Sequence, residues 1–213
     1  MSRDDVRAWQ AQSLLLDYPD ERLIARLELL RRVTNGLPEP VGAPLREFLD
    51  HLARTPATDL AADYVATFDN RKRCCPYLTY YAHGDTRKRG MALLRLKQAY
   101  TAVGLRLVDD ELPDHLAVML EFAAAKPDTG RTLLIEHRAG LELLRLALHE
   151  SHSPWANILD SVSATLPTLR GDEHQAVARL IAQGPPGEQV GLAPFPAPFA
   201  EPEYLPRPEG AHR

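Results

Sequence analysis

Cysteine is nearly absent from this chain: its 213 residues include two, Cys74 and Cys75, and they are adjacent. Neighbouring thiols supply neither a disulfide framework nor the spaced ligand pairs of a structural zinc site. Long apolar runs are missing as well, and none approaches the roughly 20 residues that cross a bilayer. The first residues, MSRDDVRAWQAQSLLLDYP, mix acids and bases among their apolar side chains and lack the continuous apolar stretch of a secretory signal. These absences lead to the expectation of a cytoplasmic protein that does not insert directly into a membrane. Catalytic signatures are lacking too: there is no glycine-rich phosphate loop, no GxSxG elbow, no HExxH and no spaced Cys/His set. Among eight scattered histidines only His149 and His152 come near ligand spacing, and a solvated or capping role accounts for them. The expectation is a protein that is not an enzyme and holds neither metal nor cofactor.

Strand-like alternation is also absent, whereas apolar residues recur at helical spacing almost throughout. The fold class read from this is all-α, a single compact domain of about eight to ten helices over residues 1–183. Ser2 caps a first helix with Val6, Trp9, Ser13 and Leu16 on one face, ended by Pro19. Asp20 opens a second helix that runs to Asn35 and Gly36. Pro44 and Pro56 are read as first-turn prolines of two shorter helices. Asp85 or Thr86 caps a long helix carrying Leu93, Leu96 and Tyr100, and Pro113 opens the next. One helix is expected from Thr129 to His149, another after Ser153 and Pro154, and a last one from about Asp172 to Gln183. Eight of the 18 prolines lie in residues 184–213, which are read as a flexible tail.

Charge is distributed steeply. Eight basic residues against the single Asp85 give residues 71–97 a formal charge of +7, which leaves −11 for the rest of a chain whose total is −4. Five of the seven tyrosines lie close by, at 64, 77, 80, 81 and 100. The basic segment has three readings: nucleic-acid binding, a site for a phosphorylated cofactor through Arg71, Arg73, Arg87, Lys88 and Arg89, or a solvated face. An acidic chain disfavours a long polyanion, so no nucleic acid is expected. Basic neighbours of Cys74 and Cys75 would favour thiolate, while the simpler reading is two small, partly buried apolar side chains. Downstream, Asp109, Asp110, Glu111 and Asp114 precede His115, Leu116, Met119 and Leu120. Carboxylates suit a helix N-terminus. Acids beside leucines and a methionine also suit a basic amphipathic peptide, with its apolar face in a groove and its cations on carboxylates. The acids around His115 are expected to favour its protonation.

Three segments carry a resemblance: YVATFD at 64–69, RKRCCPYLTYYAHGDTRKRGMALLRLKQAY at 71–100 and DDELPDHLAVMLEFAA at 109–124. They resemble the NarJ-type nitrate reductase molybdenum cofactor assembly chaperones, within the wider TorD/DmsD family of redox-enzyme maturation proteins. The resemblance implies an all-helical, non-catalytic chaperone. Its partner would be the N-terminal peptide of the nitrate reductase catalytic (alpha) subunit, held competent for molybdenum cofactor insertion and complex assembly. Molybdenum cofactor biosynthesis proteins are further candidate partners. In that family an Asp-His pair at a helix start contributes to peptide binding, and Asp114 and His115 match it. With Leu116 and Met119 beside them, Tyr64, Phe68, Tyr77, Tyr80, Tyr81 and His83 are the candidates for the groove wall by location. The alternative function is a carrier of a phosphorylated molybdopterin or nucleotide cofactor on the basic segment.

Overall fold

The computed structural model describes residues 2–108 and 111–169, with the single positions 171, 175 and 178. The expected helix at 172–183 and the proline-rich tail fall almost wholly outside the described residues, as do Asp109 and Asp110. Every regular element described is helical. Ser2 caps α1 (Arg3–Leu16) by accepting from the Asp4 backbone N–H at 3.1 Å. Asp20 caps α2 (Glu21–Ala25) through the Leu23 N–H at 2.9 Å. The next helix, α3 (Leu27–Asn35), is separate. The single helix expected over this stretch is divided at Arg26, a one-residue turn whose φ −96° and ψ −2° depart from ideal helical values.

In α4 (Glu39–Arg54) Pro40 occupies the first turn, while Pro44, expected there, lies inside the helix. Pro56 likewise precedes α5 (Ala57–Tyr64) at its cap. A π-helical turn over Val65–Asp69 widens the end of α5 and buries Thr67 and Phe68 while Val65 remains 38% exposed. A 3-10 turn over Lys72–Cys74 leads into α6 (Leu78–His83) and α7 (Arg87–Ala102). The remaining helices are α8 (Leu116–Ala125), α9 (Pro127–Glu136), α10 (Arg138–Glu150) and α11 (Ala156–Thr165). The long helix expected from 129 to 149 is therefore two, parted at His137, whose φ is −99° and ψ 13°.

One apolar cluster runs through all of this, with α1 at its centre. The helix packs against α8 on one side and α11 on another. Most of its buried polar groups find partners across those contacts, as a close-packed interior favours; among the described residues Gln12 Oε1 has none. Trp9 Nε1 donates to Thr165 at 2.9 Å and Gln12 Nε2 to Ser161 at 2.8 Å, while the Ser13 hydroxyl donates to the Ala117 carbonyl at 2.8 Å. The last bond fixes α1 against the first turn of α8, which sets the walls of the cleft between them.

Candidate functional site

α8 reads LAVMLEFAAA and carries a single charged side chain, Glu121. Six of its ten residues are buried, so the helix is held on most sides by the core. Its remaining face, with Val118 and Glu121, turns toward α1, where Gln10, Leu14 and Asp17 share a face at helical spacing. Between the two helices lies a cleft of about 360 Å³, closed at one end by Tyr77, Glu111, Leu112 and His115. Leu14, Leu112, Ala117 and Val118 supply apolar surface, and Asp17, Glu111 and Glu121 are three exposed carboxylates at its rim.

The Tyr77 and His115 end is built by a short antiparallel pairing of two loops. The Leu78 N–H donates to the Asp114 carbonyl and the Leu116 N–H to the Pro76 carbonyl, each at 2.9 Å. The two rings meet edge to face at 5.2 Å. Behind them the Asp114 side chain is wholly buried. Its Oδ2 accepts from the Thr79 hydroxyl and lies 3.6 Å from an Arg89 guanidinium nitrogen, while Oδ1 has no hydrogen-bond partner among the described residues. Arg89 also reaches Asp85 at 3.1 Å and lies over the Tyr77 ring at 5.6 Å. Asp114 thus acts on the cleft through the loop that carries His115, and its own atoms do not reach it.

His115 corrects an expectation. Burial pushes its pKa below the ordinary 6.5, against the opposing pull of Asp17 and Asp114, so the ring is less readily protonated than in water. The thiols behave similarly: burial raises both Cys74 and Cys75 despite the nearby guanidinium charges. Their basic neighbours in sequence therefore do not create thiolates, and Cys74 is a core side chain.

Of the expected wall residues, His115 and Tyr77 line the cleft. Leu116 and Met119 are core, each 1% exposed. Tyr64 and Phe68 belong to an aromatic cluster around Trp155, with ring centroids 5.8 and 5.7 Å from it, and the Tyr64 hydroxyl donates to the Leu16 carbonyl. Tyr80 and Tyr81 are buried as well, and the Tyr81 hydroxyl holds the basic turn through the Arg73 and Cys75 carbonyls at 2.8 and 3.0 Å. His83 is half-buried at the end of α6 beside His137, Lys88 and Arg95.

The basic candidates do not converge. Arg71 and Arg73 are exposed at the 3-10 turn, Arg73 lying 3.8 Å from Glu150, while Arg87 and Lys88 are exposed at the start of α7 and Arg89 folds inward. Among the described residues no group of three or more His, Cys, Asp or Glu side chains is placed to hold a metal, and no helix is long and apolar enough to cross a membrane.

The contribution of α1 was not anticipated. Two signals pointed to it: Asp17 puts an acid at a helix C-terminus, where the dipole disfavours it, and Glu121 is a lone charge in an apolar helix.

Residues 34–159 match the family described as nitrate reductase delta subunit. A Bacillus subtilis protein named as a nitrate reductase molybdenum cofactor assembly chaperone, NarJ, is 34% identical over 76% of this chain and 89% of its own length. The Escherichia coli K12 protein of the same name is 32% identical over 70% of this chain and 64% of its own. The nitrate reductase-like protein NarX of Mycobacterium tuberculosis is 38% identical over 74% of this chain, which spans only 24% of that longer protein. Among solved structures, one named as a redox enzyme maturation protein from Archaeoglobus fulgidus superposes with a TM-score of 0.57 at 25% identity, covering 72% of this chain and 88% of the other.

Proposed function

This chain belongs to the nitrate reductase delta subunit family, and from that premise we propose that it is a cytoplasmic, non-catalytic assembly chaperone for a nitrate reductase. Its client is the N-terminal segment of the catalytic alpha subunit, taken up as a basic amphipathic helix between α1 and α8. The client is held there while molybdenum cofactor is inserted and the complex assembles, with cofactor biosynthesis proteins as further partners. Relatives named as molybdenum cofactor assembly chaperones support the role.

The observation that carries the peptide site is the cleft, in which the apolar side chains of Leu14, Leu112 and Val118 lie among polar ones and beside the carboxylates of Asp17, Glu111 and Glu121. A helix laid in it buries apolar side chains against Leu14, Leu112 and Val118, at about 25 cal/mol per Å² removed from water. Rim charges in solvent contribute less, typically about 0.2–1 kcal/mol per pair. They set orientation and association rate, while burial supplies most of the affinity. His115, kept neutral by burial, adds no cation to repel the client.

Calorimetric titration with the N-terminal peptide of the catalytic subunit tests this. The double variant Asp17→Lys, Glu121→Lys alters two exposed side chains, so its far-UV circular dichroism is expected to match the native chain. Reversing two rim charges should weaken the peptide by about tenfold or more. Undiminished affinity in the folded variant would overturn the site.

A further inference from the structure

A second cavity of about 180 Å³ adjoins the acid-rimmed cleft. Both are lined by Glu111, Val118 and Glu121, which makes them neighbouring compartments of one groove along α8. Their chemistry differs. The second is floored by Tyr100 and Phe122, whose rings stack at 4.1 Å with planes 22° apart. The Tyr100 hydroxyl donates to the Pro113 carbonyl at 2.7 Å, so its one polar atom is already satisfied inside the protein. Leu105 supplies a further apolar wall, and Arg106 is the single cation of this lining.

We infer that this cavity is the anchor pocket for one apolar side chain of the client helix, aliphatic or aromatic, seated within a turn or two of the cation that meets Glu111 or Glu121. The inference rests on the reading of the α1–α8 cleft as the peptide site. Because both compartments share one wall, a helix whose cation engages the rim brings a neighbouring side chain over the aromatic floor. Glu111 and Glu121 stand at the boundary and favour a cation there. Arg106, on the second compartment alone, disfavours another cation beyond the anchor. The groove therefore discriminates by pattern: a cation, then an apolar side chain, then a neutral or acidic residue. Peptides with the same net charge and a different order bind less tightly, because a cation placed over the aromatic floor forgoes the apolar burial of the anchor and lies on the side of Arg106.

A double-mutant cycle on the full chain tests this, with the N-terminal peptide of the catalytic subunit as probe. Leu105→Gln makes one wall polar, and Ala125→Trp fills the cavity from an exposed position on its lining. Each is expected to weaken the peptide by about tenfold, the order expected for losing one buried apolar side chain. Neither should weaken it further once the anchor residue of the peptide is alanine, whereas Glu121→Lys should retain its full effect on that alanine peptide. If the peptide binds the native chain and every apolar-to-alanine change in it acts independently of both variants, the anchor pocket is wrong and the client reading stands. If the peptide does not bind the native chain at all, both fall.

Discussion

The carboxylate of Asp114 is wholly buried against Thr79 and Arg89, whereas the ring of His115, one residue on, lines the cleft. The two side chains therefore fail differently. Asp114→Ala leaves Arg89 without its inner partner and Thr79 without its acceptor, and loss of a charged hydrogen bond of this kind costs about 2–3 kcal/mol. A lower denaturation midpoint and weaker peptide binding should appear together, and a variant as stable as the native chain would contradict the positioning role. His115→Gln should preserve stability at pH 7.5 and change its dependence on acid. In the unfolded chain His115 titrates near 6.5, and in the folded chain burial lowers that value. Between the two, the unfolded state binds a proton that the folded state does not, so the histidine lowers stability as pH falls below about 6.5 and contributes nothing above it. His51 and His83 are lowered by burial in the same sense and remain in the variant. Chemical denaturation at pH 7.5 and 5.5 should show a smaller acid loss for His115→Gln than for the native chain. Equal losses would contradict the assignment.

Helix pairs are set by how closely their backbones approach, and α8 with α9 shows the limit. A Cβ on Gly130 would lie 2.2 Å from the Ala123 Cα, a backbone atom that cannot step aside, whereas one on Gly90 in α7 would meet nothing within 4 Å. Alanine is the better helix former by about 1 kcal/mol at either position. Overpacking of about 1–3 kcal/mol or more outweighs that gain at Gly130 alone. Thermal unfolding should therefore rank Gly90→Ala at or above the native chain and Gly130→Ala well below it; a neutral Gly130→Ala would refute the close contact. The same elements show why the chain was legible in part. Helical periodicity runs through almost every segment, so the class could be read directly. It also runs unbroken through Arg26 and His137, where no glycine or proline marks the breaks, so two pairs of helices read as two single ones. α6 has the opposite problem: Leu78, Thr79, Tyr80 and Tyr81 are buried in succession, which erases any amphipathic period. At the site, Glu111 and His115 could be recognised beside the apolar start of α8. Leu14 and Asp17 lie about a hundred positions earlier, and only the packing of α1 on α8 brings them there.

Across the whole molecule the charge is divided between an acid-rimmed groove and a basic flank in which α7 carries five cations and no acid. Three of these stand in its first turn, against the helix dipole, and Asp85 offsets one of them. Arg89 is committed to Asp85, Asp114 and the Tyr77 ring, so reversing it would disturb the groove wall as well as the field. Arg87 and Lys88 are exposed and line neither compartment of the groove, which makes them the clean probe of the flank. To a cationic peptide arriving from solution they are a repulsive contribution at a range that salt screens, with a Debye length of about 10 Å at 0.1 M. Arg87→Glu with Lys88→Glu should raise the association rate of the client peptide about twofold to fivefold at low salt, with little change in its dissociation rate, and the difference should vanish near 0.5 M salt. Stopped-flow fluorescence at several ionic strengths measures both rates. If the basic flank instead serves a phosphorylated ligand, the same pair of substitutions abolishes binding of a nucleoside triphosphate probe. A double variant that slows the peptide, or speeds its dissociation at every salt concentration, would place the client on the basic flank and overturn the division of labour between the two surfaces.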